Sequence, residues 1–297
     1  MKTSKIIVAN TSSSTGYFAR LLALIKPFQT ALLLITGITG YLSARPFPIH
    51  WGEFATMVVA LFCAIAGSTV LNMVYDRDID ARMNRTAHRP LVDGTLSLYT
   101  ALEWGVVLSL LGVGSAVLLQ PLFGLVVLLG WFLDVVVYTI WLKRRTAWSI
   151  VWGGLSGGMP ILAGRVLGTG EVDGIGLLLA VAIVLWIPTH ILTFNMRFFE
   201  DYHRAGIPTF PGKYGFQHTH VIIAISAIGA ALAFFLGCYA LGLAWGYMHI
   251  IMVFALAIFT LAIVNIKRQS QKLNFLLFKF ASLFMLVVMI VISVGSW

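Results

Sequence analysis

Only 10% of the 297 residues are charged and 59% are apolar, whereas soluble domains carry about 25% charged and 45–50% apolar residues, so a water-soluble core is excluded. The net charge of +9 comes without a basic helix face or a stacking platform, which argues against nucleic acid as a partner. Cys63 and Cys238 stand far apart inside apolar runs, so no disulfide framework or zinc site is encoded.

Residues 1–16 are polar and Ser/Thr-rich, and the apolar run that follows is too long for a cleavable signal peptide. Residues 17–297 read as a single transmembrane domain. Apolar runs fall at 18–43, 53–74, 101–119, 121–142, 148–168, 174–196, 220–241, 244–266 and 274–295, each close to the ~20 residues that cross a bilayer. The expectation is an all-α membrane protein of about nine transmembrane helices. Gln120-Pro121 alone divides the third run from the fourth, and a glycine-bounded stretch from Gly242 to Gly246 divides the seventh from the eighth. Of the 20 Lys and Arg residues, all but Arg45 and Arg165 fall on one side of this arrangement. Basic loops stay in the cytoplasm, which predicts a chain in the cell membrane with its N-terminus inside and Trp297 outside.

Two loops on the basic side, 75–100 and 197–219, are long and rich in ionisable groups. Each pairs an acid-bearing helix end with basic residues and then Pro and Gly, so chemistry is expected there, walled by the second, fourth and sixth runs. Asn72, Asp76 and Asp80 recur at i, i+4 and i+8 and are predicted to line one helix face with oxygen ligands. Magnesium binds through one or two carboxylates and shares its remaining positions with phosphate and water. The competing reading is a solvated helix end whose acids pair with neighbouring arginines. Arg77, Arg82, Arg85 and Arg89 follow, and Lys143, Arg144 and Arg145 end the fourth run. Guanidinium forks suit phosphate oxygens, although basic residues on this side are also what the topology alone requires.

Asn72, Asp76-Arg77-Asp78-Ile79-Asp80, Met83-Asn84-Arg85-Thr86 and Arg89-Pro90-Leu91 together resemble the first signature of the UbiA-type intramembrane prenyltransferases, within which they look most like the heme O synthases. Tyr138-Thr139, then Leu142 to Thr146, with Gly153-Gly154, is similar to the second block of that subgroup. Pro188-Thr189-His190 with Glu200-Asp201-Tyr202 and Ala205-Gly206-Ile207-Pro208 is similar to a third. The resemblance covers roughly residues 22–216 and fades in the last three runs.

The resemblance implies nine helices around a central cavity, magnesium-dependent loss of pyrophosphate from a prenyl diphosphate, and alkylation of an acceptor by the allylic cation. In heme O synthases the donor is farnesyl diphosphate and the acceptor a vinyl group of heme b, water completing the hydroxyethylfarnesyl group. On that basis Asn72, Asp76 and Asp80, with Asp201, are candidates for the Mg2+ and diphosphate site, and Arg77 and Lys143 join them as catalytic candidates. Arg85, Arg89, Arg144 and Arg145 are candidates for binding the diphosphate. His190, Tyr138, Asp134 and Asp201 are candidates for the acceptor pocket, with heme b between the fourth and sixth helices and its propionates on Arg89 or Arg204. Tyr75, Trp131, Tyr138 and Phe194 are candidates for an aromatic wall around the cation. His190 and Asp201 share a face if their helix is unbroken. Asp134 lies about 13 Å into the bilayer from Lys143, a depth at which a carboxylate needs a cavity or a partner.

The chain departs from the family pattern at several positions. Phe28 stands where Arg is expected, Ser149 where Asn is, and Arg165 where Trp is, while Asn195, Glu200 and Asp201 replace an Asp pair. These differences leave room for an aromatic or lipid acceptor. A transporter is the other alternative, and it fits less well because the polar groups gather at one membrane face instead of the midplane.

Overall fold

The computed structural model describes residues 14–44 and 48–296. Most of the polar lead-in, Arg45 and Trp297 lie outside the described residues. The described chain folds as α1 (Ser14–Leu24), α2 (Pro27–Ser43), α3 (Trp51–Tyr75), α4 (Arg77–Asp80), α5 (Leu98–Leu119) and α6 (Pro121–Phe132). A π-helical segment, Leu133–Leu142, prolongs α6. Then come α7 (Ser149–Thr169), α8 (Gly174–Arg197), α9 (Phe199–Arg204), α10 (Phe210–Ala240), α11 (Trp245–Arg268) and α12 (Gln271–Gly295). No strand occurs among the described residues. Among the described residues eight helices are long and apolar enough to cross a membrane, and α1 with α2, a pair bent by 50°, is a ninth if the two form one span.

That bend has a local cause. Pro27 opens α2, and a proline ring disfavours helical geometry in the residue before it. Lys26 accordingly sits at φ 46. The loop expected over 197–219 is largely helical instead. It holds α9 and the first turn of α10, which Gly215, at φ 81, separates from the span proper. Trp148 Nε1 donates to the Tyr214 hydroxyl at 2.8 Å and meets Phe210 edge-on at 4.9 Å, fixing that turn against the loop after the fourth span.

Lipid tails are as apolar as a leucine core, so helices in a membrane associate through close packing and polar contacts. A Cβ on Gly164 would lie 1.9 Å from the carbonyl oxygen of Gly37, and one on Gly40 would lie 2.0 Å from that of Ile161. The α2 and α7 backbones therefore touch where no side chain fits between them. Further out, Asn265 Nδ2 donates to Asn274 Oδ1 at 3.2 Å and Asn274 Nδ2 to Thr193 Oγ1 at 3.1 Å, tying α11, α12 and α8 together.

One of the sequence departures points outward from the bundle, and another lies away from the polar end. Phe28 is 88% exposed, pointing outward where lipid solvates it. Arg165 is only 6% exposed and stands about 24 Å along α7 from Ser149. Its Nε and Nη2 fork onto Asp173 at 2.6–2.9 Å, and its Nη1 donates to the Ser43 carbonyl at 2.8 Å. Asp173 in turn caps α8 by accepting from the Gly176 amide at 2.8 Å. Arg165 is thus a clasp between α2, α7 and α8, at the end of α7 away from Ser149.

Candidate active site

The site is built on the end of α3. The Asp76 amide donates to the Asn72 carbonyl at 2.9 Å and the Asp80 amide to the Asp76 carbonyl at 2.8 Å, so the helical ladder runs through the break at Asp76 into α4. Asp76 and Asp80 are 2% and 6% exposed, burial that ionised carboxylates tolerate only with partners. Asp76 Oδ2 accepts from Lys143 Nζ. Its Oδ1 is buried without a partner. Asp80 Oδ2 accepts from Arg89 Nη1 at 2.5 Å, and the Thr86 hydroxyl closes the turn onto the Asp80 carbonyl at 2.9 Å. Asn72 presents its amide to protein: Nδ2 donates to Thr139 Oγ1 at 2.8 Å. The face expected to carry oxygen ligands is thus partly engaged by protein groups, one Asp76 oxygen staying without a hydrogen-bond partner among the described residues. Each of the three is held by a different partner, and no three His, Cys, Asp or Glu side chains converge among the described residues.

The second block arrives on the π-helical segment. Its wider turn shows in the Lys143 amide donating to the Tyr138 carbonyl at 2.8 Å and Thr139 Oγ1 to the Asp134 carbonyl at 2.7 Å, both five residues apart. That five-residue spacing sets Asp134, Thr139 and Lys143 toward Ser68, Asn72 and Asp76 of the α3 end. The carboxylate of Asp134 lies by Ser68, within the electrostatic reach of Lys26, Lys143 and Asp76, so its partner is a polar cluster inside the bundle. Tyr138 lies over Gly153, where a Cβ would come 3.1 Å from its ring, with Lys143 Nζ 5.6 Å from its centroid. Burial alone would lower the pKa of Lys143, but Tyr138 and Asp76 beside it reverse this and hold it above the ordinary lysine value. It stays a cation.

The third block closes over the first. Ile79 and Met83 pack with Ala205, flanked by Tyr202 and Ile207. Asp201 accepts from the Arg85 backbone amide at 3.3 Å and from Arg204. Asp201 therefore joins the first motif but not His190. The helix breaks at Phe198, φ −111, and His190 instead lies among Trp186, Phe194 and Phe278 at ring distances of 5.0–5.2 Å. The rings around His190 thus come from α8, which is the sixth span, and from α12, and none comes from the fourth span among the described ring contacts.

Other expected contacts are spoken for. Arg77 Nε donates to the Leu91 carbonyl at 2.8 Å and braces the loop. Arg144 forks onto Asp78 at 2.7–3.0 Å, donates to the Tyr75 carbonyl at 2.7 Å, and holds the Asp78 carboxyl below the usual carboxylate range. Arg145 is exposed. Arg89 and Arg204, expected to meet propionates, pair with Asp80 and Asp201. Trp131 faces α5, its Nε1 on Ser109 Oγ at 2.9 Å, and Tyr75 is bonded to the Ile140 carbonyl. Sequence reasoning missed Thr139, Ser68 and Lys26. The last carried a signal, being a lysine inside an apolar run beside a proline, and it faces Arg89, Lys143, Asp80 and Asp134.

The UbiA prenyltransferase family model matches residues 33–287. A protoheme IX farnesyltransferase of Pyrobaculum islandicum is 37% identical over 264 residues, 88% of this chain and 94% of that protein. One from Aeropyrum pernix is 34% identical over 289 residues, 95% of this chain and 93% of that protein. Among solved structures, a digeranylgeranylglyceryl phosphate synthase superposes with a TM-score of 0.79 at 20% identity, covering 94% of this chain and 98% of that one. A UbiA homologue of Archaeoglobus fulgidus bound to GPP and Mg2+ superposes with a TM-score of 0.65 at 16% identity, covering 92% and 99%. The likeness of fold extends to the whole bundle, and the sequence match spans most of it: this chain belongs to the UbiA prenyltransferase family.

Proposed function

We propose that this protein transfers a farnesyl or longer prenyl group from its diphosphate to a vinyl group of heme b, at the cytoplasmic end of the bundle. The observation that carries the chemistry is the buried Asp76–Lys143 pair, with one Asp76 oxygen left over, beside the Asp80–Arg89 pair. The acceptor is supported by the full-length relatives named protoheme IX farnesyltransferase.

The reaction needs the allylic C–O bond to break with its electron pair leaving on pyrophosphate, so the catalyst must neutralise charge that develops on the leaving oxygens. Lys143 is a fixed cation at the bottom of the site, and Arg89 is a second at its rim. Both now lean on carboxylates, and a diphosphate arriving between them shares these cations with Asp76 and Asp80. The spare Asp76 oxygen and the carboxylate of Asp80 suit Mg2+ that arrives with the diphosphate, since that ion needs only one or two protein carboxylates. When bound it adds electrostatic stabilisation to the leaving group. Asn72, held by Thr139, keeps α3 and the π-helical segment in register. Tyr138 presents a ring face beside Lys143, and the apolar walls below keep water from the cation until the vinyl carbon has captured it. Water then adds to the resulting heme-stabilised cation and loses a proton, leaving the hydroxyethyl group.

The test is purified protein with heme b, Mg2+ and a panel of prenyl diphosphates, read by product mass. The expected product is heme b plus one prenyl group and one hydroxyl group. If heme gives no saturable spectral change while a phenolic or lipid acceptor is prenylated, the acceptor assignment fails and the prenyl transfer stands.

A further inference from the structure

Most cations around the site are paired with carboxylates: Lys143, Arg89, Arg144, Arg82 and Arg204. Arg85 and Arg197 are not. Among the described residues both guanidinium groups rest on rings instead, Arg85 5.4 Å and Arg197 5.7 Å from the centroid of Phe198. Arg197 also lies 4.5 Å from the centroid of Phe275. Both are exposed, and both line an open cleft of about 650 Å³ between the Asn84–Arg85 loop, the end of α8 and the start of α12. The acids at this cleft are Glu200, exposed at its rim, and Asp201, already paired with Arg204. A guanidinium held by a ring keeps its hydrogen-bond fork free for an anion.

Below the two arginines an aromatic ribbon descends along α8. Phe198 stacks on Phe194 at 5.8 Å, Phe194 meets Phe278 edge-on at 5.4 Å, and His190 lies against both Phe194 and Phe278. His190 precedes Arg197 by seven residues, about 10 Å along the helix, roughly a porphyrin radius plus a propionate arm. The Nδ1 of His190 is buried without a hydrogen-bond partner among the described residues. Free guanidinium groups at the cleft and aromatic rings beneath it match the chemistry of a flat, apolar ligand with carboxylates at one edge.

Resting on the reading of heme b as acceptor, we propose that Arg85 and Arg197 clamp its two propionates at the cleft mouth, with the macrocycle lying along Phe198, Phe194 and Phe278 and its centre level with His190. The propionates and vinyl groups of heme b occupy opposite edges, so anchoring the first at the mouth sends the second inward. This moves Arg85 from the diphosphate, where the sequence suggested it, to the acceptor.

The experiment is a spectroscopic titration of the intact protein, Arg85→Gln and Arg197→Gln with heme b and with its dimethyl ester, alongside farnesyl diphosphate binding. Each substitution is expected to weaken heme b on the order of tenfold, the scale of losing a charge-assisted hydrogen bond. The ester should bind the intact protein correspondingly weakly and be indifferent to the substitutions, and farnesyl diphosphate affinity should hold. Unchanged heme b affinity, or equal weakening of acid and ester, overturns the clamp while leaving heme as acceptor. Loss of farnesyl diphosphate affinity in Arg85→Gln returns that residue to the diphosphate and overturns its part. If the intact protein binds neither porphyrin and prenylates a phenol, both the acceptor reading and the clamp fall.

Discussion

Lys143 Nζ rests on one oxygen of Asp76 while the other oxygen is buried without a hydrogen-bond partner among the described residues. A buried carboxylate half satisfied in this way is costly to keep, and here it sits where a metal-bearing diphosphate is to be bound. Asp76→Asn keeps the shape and removes the charge. Prenyl transfer should fall by at least about a hundredfold, the scale of losing electrostatic stabilisation of a leaving group, with little change in Tm. Near-normal turnover in a steady-state assay would remove Asp76 from the chemistry.

Lys143→Met should behave differently, because it strands the Asp76 carboxylate. Removing one partner of a buried pair costs about 3–5 kcal/mol, so this variant should lose both activity and thermal stability. The double variant Asp76→Asn/Lys143→Met should regain much of the Tm and none of the activity. A double variant no more stable than Lys143→Met would show that the pair is not what that lysine supports.

The hydrogen bond from Asn72 to Thr139 links two signature blocks across the bundle. Thr139→Val retains the volume and leaves the Asn72 amide without its acceptor. The stability loss should be about 1–2 kcal/mol, and kcat should drop more than KM rises, because the displaced groups act on the leaving diphosphate rather than on the bound prenyl chain. A pure KM effect would argue that Asn72 only binds substrate.

At the far end, the Arg165 guanidinium holds the Asp173 carboxyl below the usual carboxylate range. A carboxylate whose native pKa is depressed stabilises the fold above its unfolded value, about 3.9, and loses that contribution as pH falls through the native one. Arg165→Met should therefore lower stability by about 3 kcal/mol near neutral pH, and the Tm difference from the unchanged chain should begin to shrink as pH falls below about 4. Activity per folded molecule should be untouched, since the clasp lies a span away from Asp76. Altered acceptor preference in this variant would contradict that placement.

Orientation is open to direct measurement. Single cysteines at 85, 144, 213 and 268, in a chain lacking Cys63 and Cys238, should all label from the cytoplasmic side. Labelling of positions 85 and 213 from opposite faces would be incompatible with Asp201 meeting the Arg85 amide at 3.3 Å.

The helical bundle, with eight or nine candidate spans, and the gathering of ionisable residues at one end of it were legible in the sequence. Apolar run length, the sidedness of Lys and Arg, and a spacing of four from Asn72 to Asp80 are local properties, each set by helix geometry and the bilayer alone. Pairing was not legible. That Asp76 meets Lys143 while Asp80 meets Arg89, that His190 turns toward Phe278 instead of Asp201, and that Arg165 is a distant clasp all depend on which helices lie side by side. A ten-residue π-helical segment is likewise invisible in the hydrophobic pattern. Only the tertiary structure decided these points, because ion pairs and ring contacts form between residues tens of positions apart, and composition and period constrain a residue's own helix face but not the helix that packs against it.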